Sequence, residues 1–315
     1  MEGIKISTNY MDENRAAELW SRIRSELGQK ADQAQVGKHI TWQCNPNLLS
    51  NWYFVNPVNQ RGQLQYTTAG KYTIDMWRLH INGGDYDVTS HTMAFNNLTW
   101  SGLATTVEWS ADYPVQTVTA SILYSSEVDT VFTLYYEGIK QSTTLQVPAH
   151  AMELYSLTAI VPAGTTGIQV QLNHNTASKP SGSAVLTAAK LELGPVQTLA
   201  HKEGNTWALN DPPPNKALEL AKCQRYQLFG PMSASYQHHY QAMDRVALST
   251  PTTMRTTPTL VGTPEIRKLS DNTLISGAQI SKIYSYNTNI IFSVTGTSEH
   301  CFIYFPPGTG LDCNL

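Results

Sequence analysis

Gly167-Ile168-Gln169-Val170-Gln171-Leu172-Asn173 alternates without interruption. In an extended chain successive side chains point to opposite faces, so Ile168, Val170 and Leu172 share one face and Gln169, Gln171 and Asn173 the other. Val118, Ala120, Ile122 and Tyr124 repeat the pattern. Val131 to Tyr136 is apolar or hydroxylated on both faces, as a central strand would be, and Val185 to Leu193 places Ala189, Leu191 and Leu193 on one face. Turn formers separate these runs: Asn82-Gly83-Gly84-Asp85, Glu137-Gly138, Pro162-Ala163-Gly164 and Lys179-Pro180-Ser181-Gly182. Short strands between such turns predict an antiparallel β-sandwich or jelly roll over residues 46–195. No helical segments alternate with them, which disfavours a parallel α/β sheet.

The composition agrees. Charged residues make up 14% of the 315, and Thr occurs 35 times, with 16 Tyr and 7 Trp. Hydroxyl-rich, aromatic, weakly charged sequence suits strands and argues against disorder. The net charge of −3 shows no basic surplus for nucleic acid, and no apolar run is long enough for a membrane-spanning helix. The charged start, Met1-Glu2-Gly3-Ile4-Lys5, lacks the apolar region of a secretory signal. Cys44, Cys223, Cys301 and Cys313 are scattered, with no zinc-ligand spacing, and a Cys301–Cys313 bridge stays open.

Outside the sandwich three further parts are expected. In residues 1–45, Ala16, Leu19, Trp20, Ile23 and Leu27 recur in steps of three and four, which predicts an amphipathic helix. So short a helix is marginal alone, and its stripe needs a partner, either the rest of the chain or copies of itself. Residues 196–215 end in Asn210-Asp211-Pro212-Pro213-Pro214-Asn215 and read as a Pro-rich linker. Residues 216–315 open with a helical turn or two at Lys216–Lys222 and continue as strands at Arg225–Phe229, Arg245–Ser249, Ile280–Tyr286, Asn289–Val294 and Cys301–Phe305, a second, sandwich-like β-domain.

Candidate chemistry is sparse. Sugar hydrolysis needs two carboxyl groups flanking the bond. Asp85, Asp87, Glu108, Glu127, Asp129 and Glu137 are available, but turn roles account for their positions. No Gly-x-Ser-x-Gly elbow occurs. His238 and His239 would face opposite sides of a strand and cannot chelate one metal within a chain. No catalytic residue, metal or cofactor is therefore expected. Tyr236, His238 and Tyr240 share one strand face and could stack on and hydrogen-bond a sugar, with a packing row as the competing role. Trp207 is a further candidate platform, with a cover over the domain junction as its alternative. Trp52, Trp77, Trp100 and Trp109 lie in or beside strands and read mostly as core, and Arg61 with Asp75 reads as a structural ion pair.

Several segments resemble tail-tip and tail-fibre proteins of bacteriophages and prophages. Met11-Asp12-Glu13-Asn14-Arg15-Ala16-Ala17-Glu18-Leu19-Trp20 is similar to their N-terminal helix, and Asn47-Leu48-Leu49-Ser50-Asn51-Trp52-Tyr53-Phe54 to the opening strand of their carbohydrate-binding-like jelly roll. Tyr72-Thr73-Ile74-Asp75-Met76-Trp77 resembles the next segment, Lys190-Leu191-Glu192-Leu193-Gly194 the closing strand, and Ala217-Leu218-Glu219-Leu220-Ala221-Lys222-Cys223 the entry of a C-terminal module in which Met254-Arg255-Thr256-Thr257-Pro258-Thr259 also recurs. Val196 to Glu203 departs from the Thr-Pro-aromatic segment usual there. The resemblance implies a virion tail component, a homotrimer, attached through Leu19, Trp20, Ile23 and Leu27 to other tail or baseplate proteins. It implies a receptor-binding role toward a host cell-surface glycan, with a purely structural baseplate role as the alternative and a glycan depolymerase as a more distant one.

Overall fold

The computed structural model describes residues 45–177, 180–236, 244–251, 253–286, 289–297 and 300–313. The predicted helix carrying Leu19, Trp20, Ile23 and Leu27 lies outside them. The fold is mainly β, built from antiparallel sheets.

Two sheets make the first sandwich. One runs β1 (Gln65–Tyr66), β3 (Asp85–Asp87), β4 (Thr92–Phe95), β11 (Gly182–Leu193), β6 (Thr117–Ser126), β9 (His150–Ile160). The other runs β2 (Trp77–Leu79), β5 (Gly102–Glu108), β10 (Gly167–His174), β7 (Thr130–Glu137), β8 (Gln141–Val147). Their inner faces meet in one apolar core: Ile168, Val170 and Leu172 of β10 with Ala120, Ile122 and Tyr124 of β6, as the alternation requires. Trp52 and Trp77 are core residues and Trp109 packs against the edge of that core, whereas Trp100 is 40% exposed. Arg61 Nη1 lies 3.4 Å from Asp75 Oδ1, the expected pair.

The long strand β11 carries a bulge between Leu186 and Ala188. One extra residue flips the parity of the pleat. Ala184 and Leu186 before it, and Ala189 and Leu191 after it, all reach the core. Leu193, expected on that face, is instead exposed at the strand end. Lys190 and Glu192 point away from the core yet are fully buried. What covers them is the segment read as a linker. It holds a hairpin, β12 (Ala200–Glu203) and β13 (Thr206–Leu209). Asp211 Oδ2 accepts from Lys190 Nζ at 2.6 Å, and the Glu192 carboxylate accepts from Thr198 N at 2.7 Å and Thr198 Oγ1 at 2.5 Å. Leu199 and Ala200 join the sandwich core. The Pro run follows, between Asp211 and the helix cap.

Asn215 caps α1 (Lys216–Gln224), its Oδ1 accepting from Ala217 N and Leu218 N. Glu219 on this helix is buried and accepts from Asn51 N at 2.7 Å, which ties α1 to the sandwich. The chain then forms a small sheet of β14 (Gln227–Phe229), β22 (Gly310–Asp312) and β17 (Thr259–Val261), in that order. A larger sheet follows the order β18 (Glu265–Lys268), β21 (Cys301–Phe305), β15 (Met232–Tyr236), β16 (Asp244–Ser249), β20 (Asn289–Thr295), β19 (Gln279–Tyr286). These share a second core around Val246, Phe292, Ile303, Phe305 and Leu311. Cys301 and Cys313 are buried thiols, not a bridge, and Cys313 Sγ donates to Thr256 O at 3.2 Å. Arg255 and Arg225 of this part both reach the Glu108 carboxylate at the end of β5, Arg225 at 3.9 Å.

Candidate glycan-binding groove

Register sets the outer face of the five-stranded sheet in rows. Arg78 on β2 stands opposite Ala104 on β5, Ala104 opposite Gln171 on β10, Gln171 opposite Thr133 on β7, and Thr133 opposite Thr144 on β8. The next row reads Thr106, Gln169, Tyr135, Ser142, and the one beyond it Glu108, Gly167, Glu137. Trp77 and Leu79, the neighbours of Arg78, are core residues, so alternation turns Arg78 outward. The result is a groove of about 310 Å³ walled by Arg78, His80, Trp100 and Tyr135 and floored by Gln169, Gln171 and Thr133.

The floor is polar but fixed. Gln169 Nε2 donates to Glu137 Oε1 at 2.5 Å, Gln171 Nε2 to Gln169 Oε1 at 2.8 Å, and Asn173 Nδ2 to Gln171 Oε1 at 3.2 Å. Gly167 makes room for the first link, since a Cβ there would sit 2.5 Å from Glu137 Oε2. Each amide is oriented by the next, so the row of side chains is held before any ligand arrives. Thr133 Oγ1 is buried with no partner among the described residues, an unused hydrogen-bonding group in the floor.

The wall is aromatic. Trp100 has φ 66°, in the left-handed region that costs a bulky residue about 1–2 kcal/mol. It occupies a tight turn closed by Ser101 N donating to Leu98 O at 3.1 Å. The Trp100 carbonyl accepts from His80 Nδ1 at 3.1 Å, and the two rings lie 5.6 Å apart at 37°. A carbonyl can only accept, so Nδ1 carries the proton and Nε2 offers a lone pair. Burial, with a further push from Arg78, holds the His80 pKa below its ordinary value, so the imidazole is neutral at neutral pH. A partly exposed indole beside preset amides, a hydroxyl and a neutral imidazole is chemistry suited to the C–H faces and hydroxyls of a sugar.

The residues singled out in the sequence fall elsewhere. His238 and Tyr240 lie outside the described residues, as does the side chain of Tyr236 at the end of β15. Trp207 on β13 is half-buried against the sandwich core, with Lys202 Nζ 5.0 Å from its ring centre, so it covers the hairpin junction and lies apart from the groove. Five of the six candidate carboxylates hold structure, while Asp85 is exposed. Asp87 accepts from Ser90 N at 2.8 Å, a bond that keeps its pKa below the usual range. Glu127 accepts from Ser183 Oγ at 2.8 Å and Asp129 from Ala149 N at 2.9 Å. Glu108 is engaged by two arginines and Glu137 by Gln169. The groove itself was missed. Its signal was the row of Gln169, Gln171 and Asn173 facing one way.

No family model matches this chain, and no curated protein matches it. Among solved structures, the enzymatically active domain of bacteriophage CBA120 tailspike protein 4 is similar to it at 12% identity and TM-score 0.31, over 47% of this chain and 21% of that one. The CBM22-1 xylan-binding domain of Paenibacillus barcinonensis Xyn10C is similar at 15% identity and TM-score 0.30, over 48% of this chain and 96% of that one. A carbohydrate-binding module of Cellvibrio mixtus lichenase 5A, solved with cellotriose, is similar at 14% identity and TM-score 0.24, over 47% of this chain and 98% of that one. This chain thus spans about a fifth of the tailspike domain.

Proposed function

We propose that this protein is a phage tail receptor-binding protein that holds a host-surface glycan in the groove of its first sandwich, a jelly roll, and acts without covalent chemistry. The preset amide row beneath the Trp100 wall carries the reading: it orders hydrogen-bonding groups along a shallow, open trough where a linear saccharide can lie. Among the described residues lining the trough there is no carboxylate, which fits holding rather than cutting. The ordered landmarks from Met11 to Thr259 supply the tail context. In a homotrimer, three weak grooves on one particle would act together, so modest affinity per site suffices.

A glycan array probed with the full chain tests this. Binding that is lost in Trp100→Gly, a change that keeps the turn geometry, supports the groove. Release of new reducing ends from a bound polysaccharide would replace this reading with hydrolysis. Failure to bind any glycan or host cell would leave the structural baseplate role.

A further inference from the structure

The groove does not end at Arg78. The same side chain lines a second hollow, of about 500 Å³, between the first sandwich and the small C-terminal sheet. Tyr72 stands opposite Arg78 in register. Arg61 lies over the Tyr72 ring at 5.3 Å and over Phe229 of β14 at 4.0 Å. Val261 and Asp312 close the far side. Trough and cleft are therefore adjoining hollows with one cation in the wall of both.

The cations of this region are not alike. Arg61 is paired with Asp75 at 3.4 Å and has Asp312 in its field. Lys71, the remaining cation lining the cleft, is exposed to solvent. Arg78 is half-buried and has neither an ion pair nor a side-chain hydrogen bond among the described residues. Across its row stand only Ala104, Gln171, Thr133 and Thr144, none of which carries charge. A guanidinium keeps its charge at all ordinary pH and presents a planar fork of donors suited to carboxylate or phosphate. The chain as a whole carries −3, so attraction for an anion here is local to this position.

We propose that the glycan held by the groove bears an acidic substituent, a carboxylate or a phosphate, and that Arg78 pairs with it where trough and cleft meet. This rests on the groove reading above and narrows it to acidic saccharides. Neutral His80 beside Arg78 adds an acceptor for a neighbouring hydroxyl without a second charge.

The full chain is titrated with two matched pairs: polygalacturonate against its methyl ester, and phosphomannan against the same mannan after dephosphorylation. The readout is the ratio of affinities within each pair. At least one acidic member should bind about tenfold more tightly than its neutral partner, and the preference should shrink as salt is raised. Arg78→Gln should bring that ratio close to one, and Arg78→Lys should keep part of it. The pair that shows the preference tells carboxylate from phosphate. Because Arg78 has no side-chain partner to lose, both variants should unfold within about 2 °C of the parent. A ratio near one in the parent with binding intact overturns the inference and leaves the groove standing, as does a preference that survives Arg78→Gln. Absence of binding to all the polymers, with the protein folded, overturns both.

Discussion

Asp75 offers the sharpest physical test. Its carboxyl is completely buried beneath Arg61 and accepts from Gln60 Nε2 at 2.6 Å and from Gln60 N at 3.2 Å. Burial pushes its pKa from 3.8 up to about 6, against the pull of the Gln60 side chain and of Arg61. Arg61 is lowered too, again by burial first. Desolvation thus outweighs mutual attraction for both partners, as it can for a buried pair. The folded protein therefore binds this proton more tightly than the unfolded chain does. Stability from this group is present in full below the unfolded value near 3.8 and is lost as pH rises through about 6. A shift of roughly two units corresponds to about 3 kcal/mol. Other carboxylates titrate over the same range, so the quantity to measure is the difference between the parent and Asp75→Asn. The amide has no proton to exchange there and contributes a constant offset. Urea unfolding can be followed by tryptophan emission, which reports on the first sandwich and its hairpin because none of the 7 tryptophans lies beyond Trp207. Between about pH 7 and about pH 4 the parent should gain about 2–3 kcal/mol relative to the variant. A flat difference, or one that shrinks on acidification, would show that the attraction of Arg61 prevails and that the burial argument is wrong.

Other outcomes follow from single contacts. Lys190→Ala leaves Asp211 and Glu192 without their cation and should cost about 3–5 kcal/mol in urea unfolding, with the hairpin opening first in hydrogen exchange. At position 100 both Trp100→Gly and Trp100→Ala should lose glycan binding, but the glycine variant should be about 1 kcal/mol more stable because only glycine enters the left-handed region freely. Gly84→Ala forces a Cβ to 2.8 Å from Ala94 O at φ 113°, and should destabilise by about 1–3 kcal/mol in thermal unfolding. Light scattering of the full chain should give three times 34.9 kDa if the trimer proposal holds, and a monomer would refute it.

The sandwich was legible because its core is written in local alternation. β6 and β10 place their apolar residues where a period of two predicts, β11 does so on either side of its bulge except at Leu193, and Asn215 and the helix after it behave as capping rules require. In the C-terminal part the longer strands were legible, whereas β17, β18 and β22, of three or four residues each, are too short to show a period. The groove was not. Its walls and floor come from Arg78, Trp100, Thr133 and Gln171, on separate strands and a turn, and only the pairing register brings them into rows. Polar residues on the outer face of a strand ordinarily face water, so alternation alone does not mark Gln169 and Gln171 as a floor; their mutual bond does. By contrast Tyr236, His238 and Tyr240 drew notice because their chemistry is contiguous in sequence, a cue that favours local clusters over sites assembled by a sheet.

The stretch read as a spacer turns out to decide which face of the sandwich is free. A sandwich has two outer faces, and either could in principle carry a ligand. On the six-stranded sheet Lys190 and Glu192 point outward into the 196–211 segment, where Asp211 and Thr198 satisfy them, and Lys202 reaches back 3.3 Å to Glu153 on β9. That face is spent on holding the hairpin. The five-stranded sheet has its outward amides bonded to one another along β10 instead, with Arg78 and Thr133 left over. Lys190 and Glu192 of β11 are met by the covering segment, while the amides of β10 bond to one another and to Glu137. The open trough and the closed hairpin face thus have one origin, the residue types at alternate positions of β10 and β11. Exchanging Lys190 and Glu192 for a Met–Leu pair should therefore loosen the hairpin without altering the trough. Hydrogen exchange that speeds up in residues 200–209 while that of β10 stays unchanged is the expected result, and parallel loosening of both would mean that the two faces are not independent.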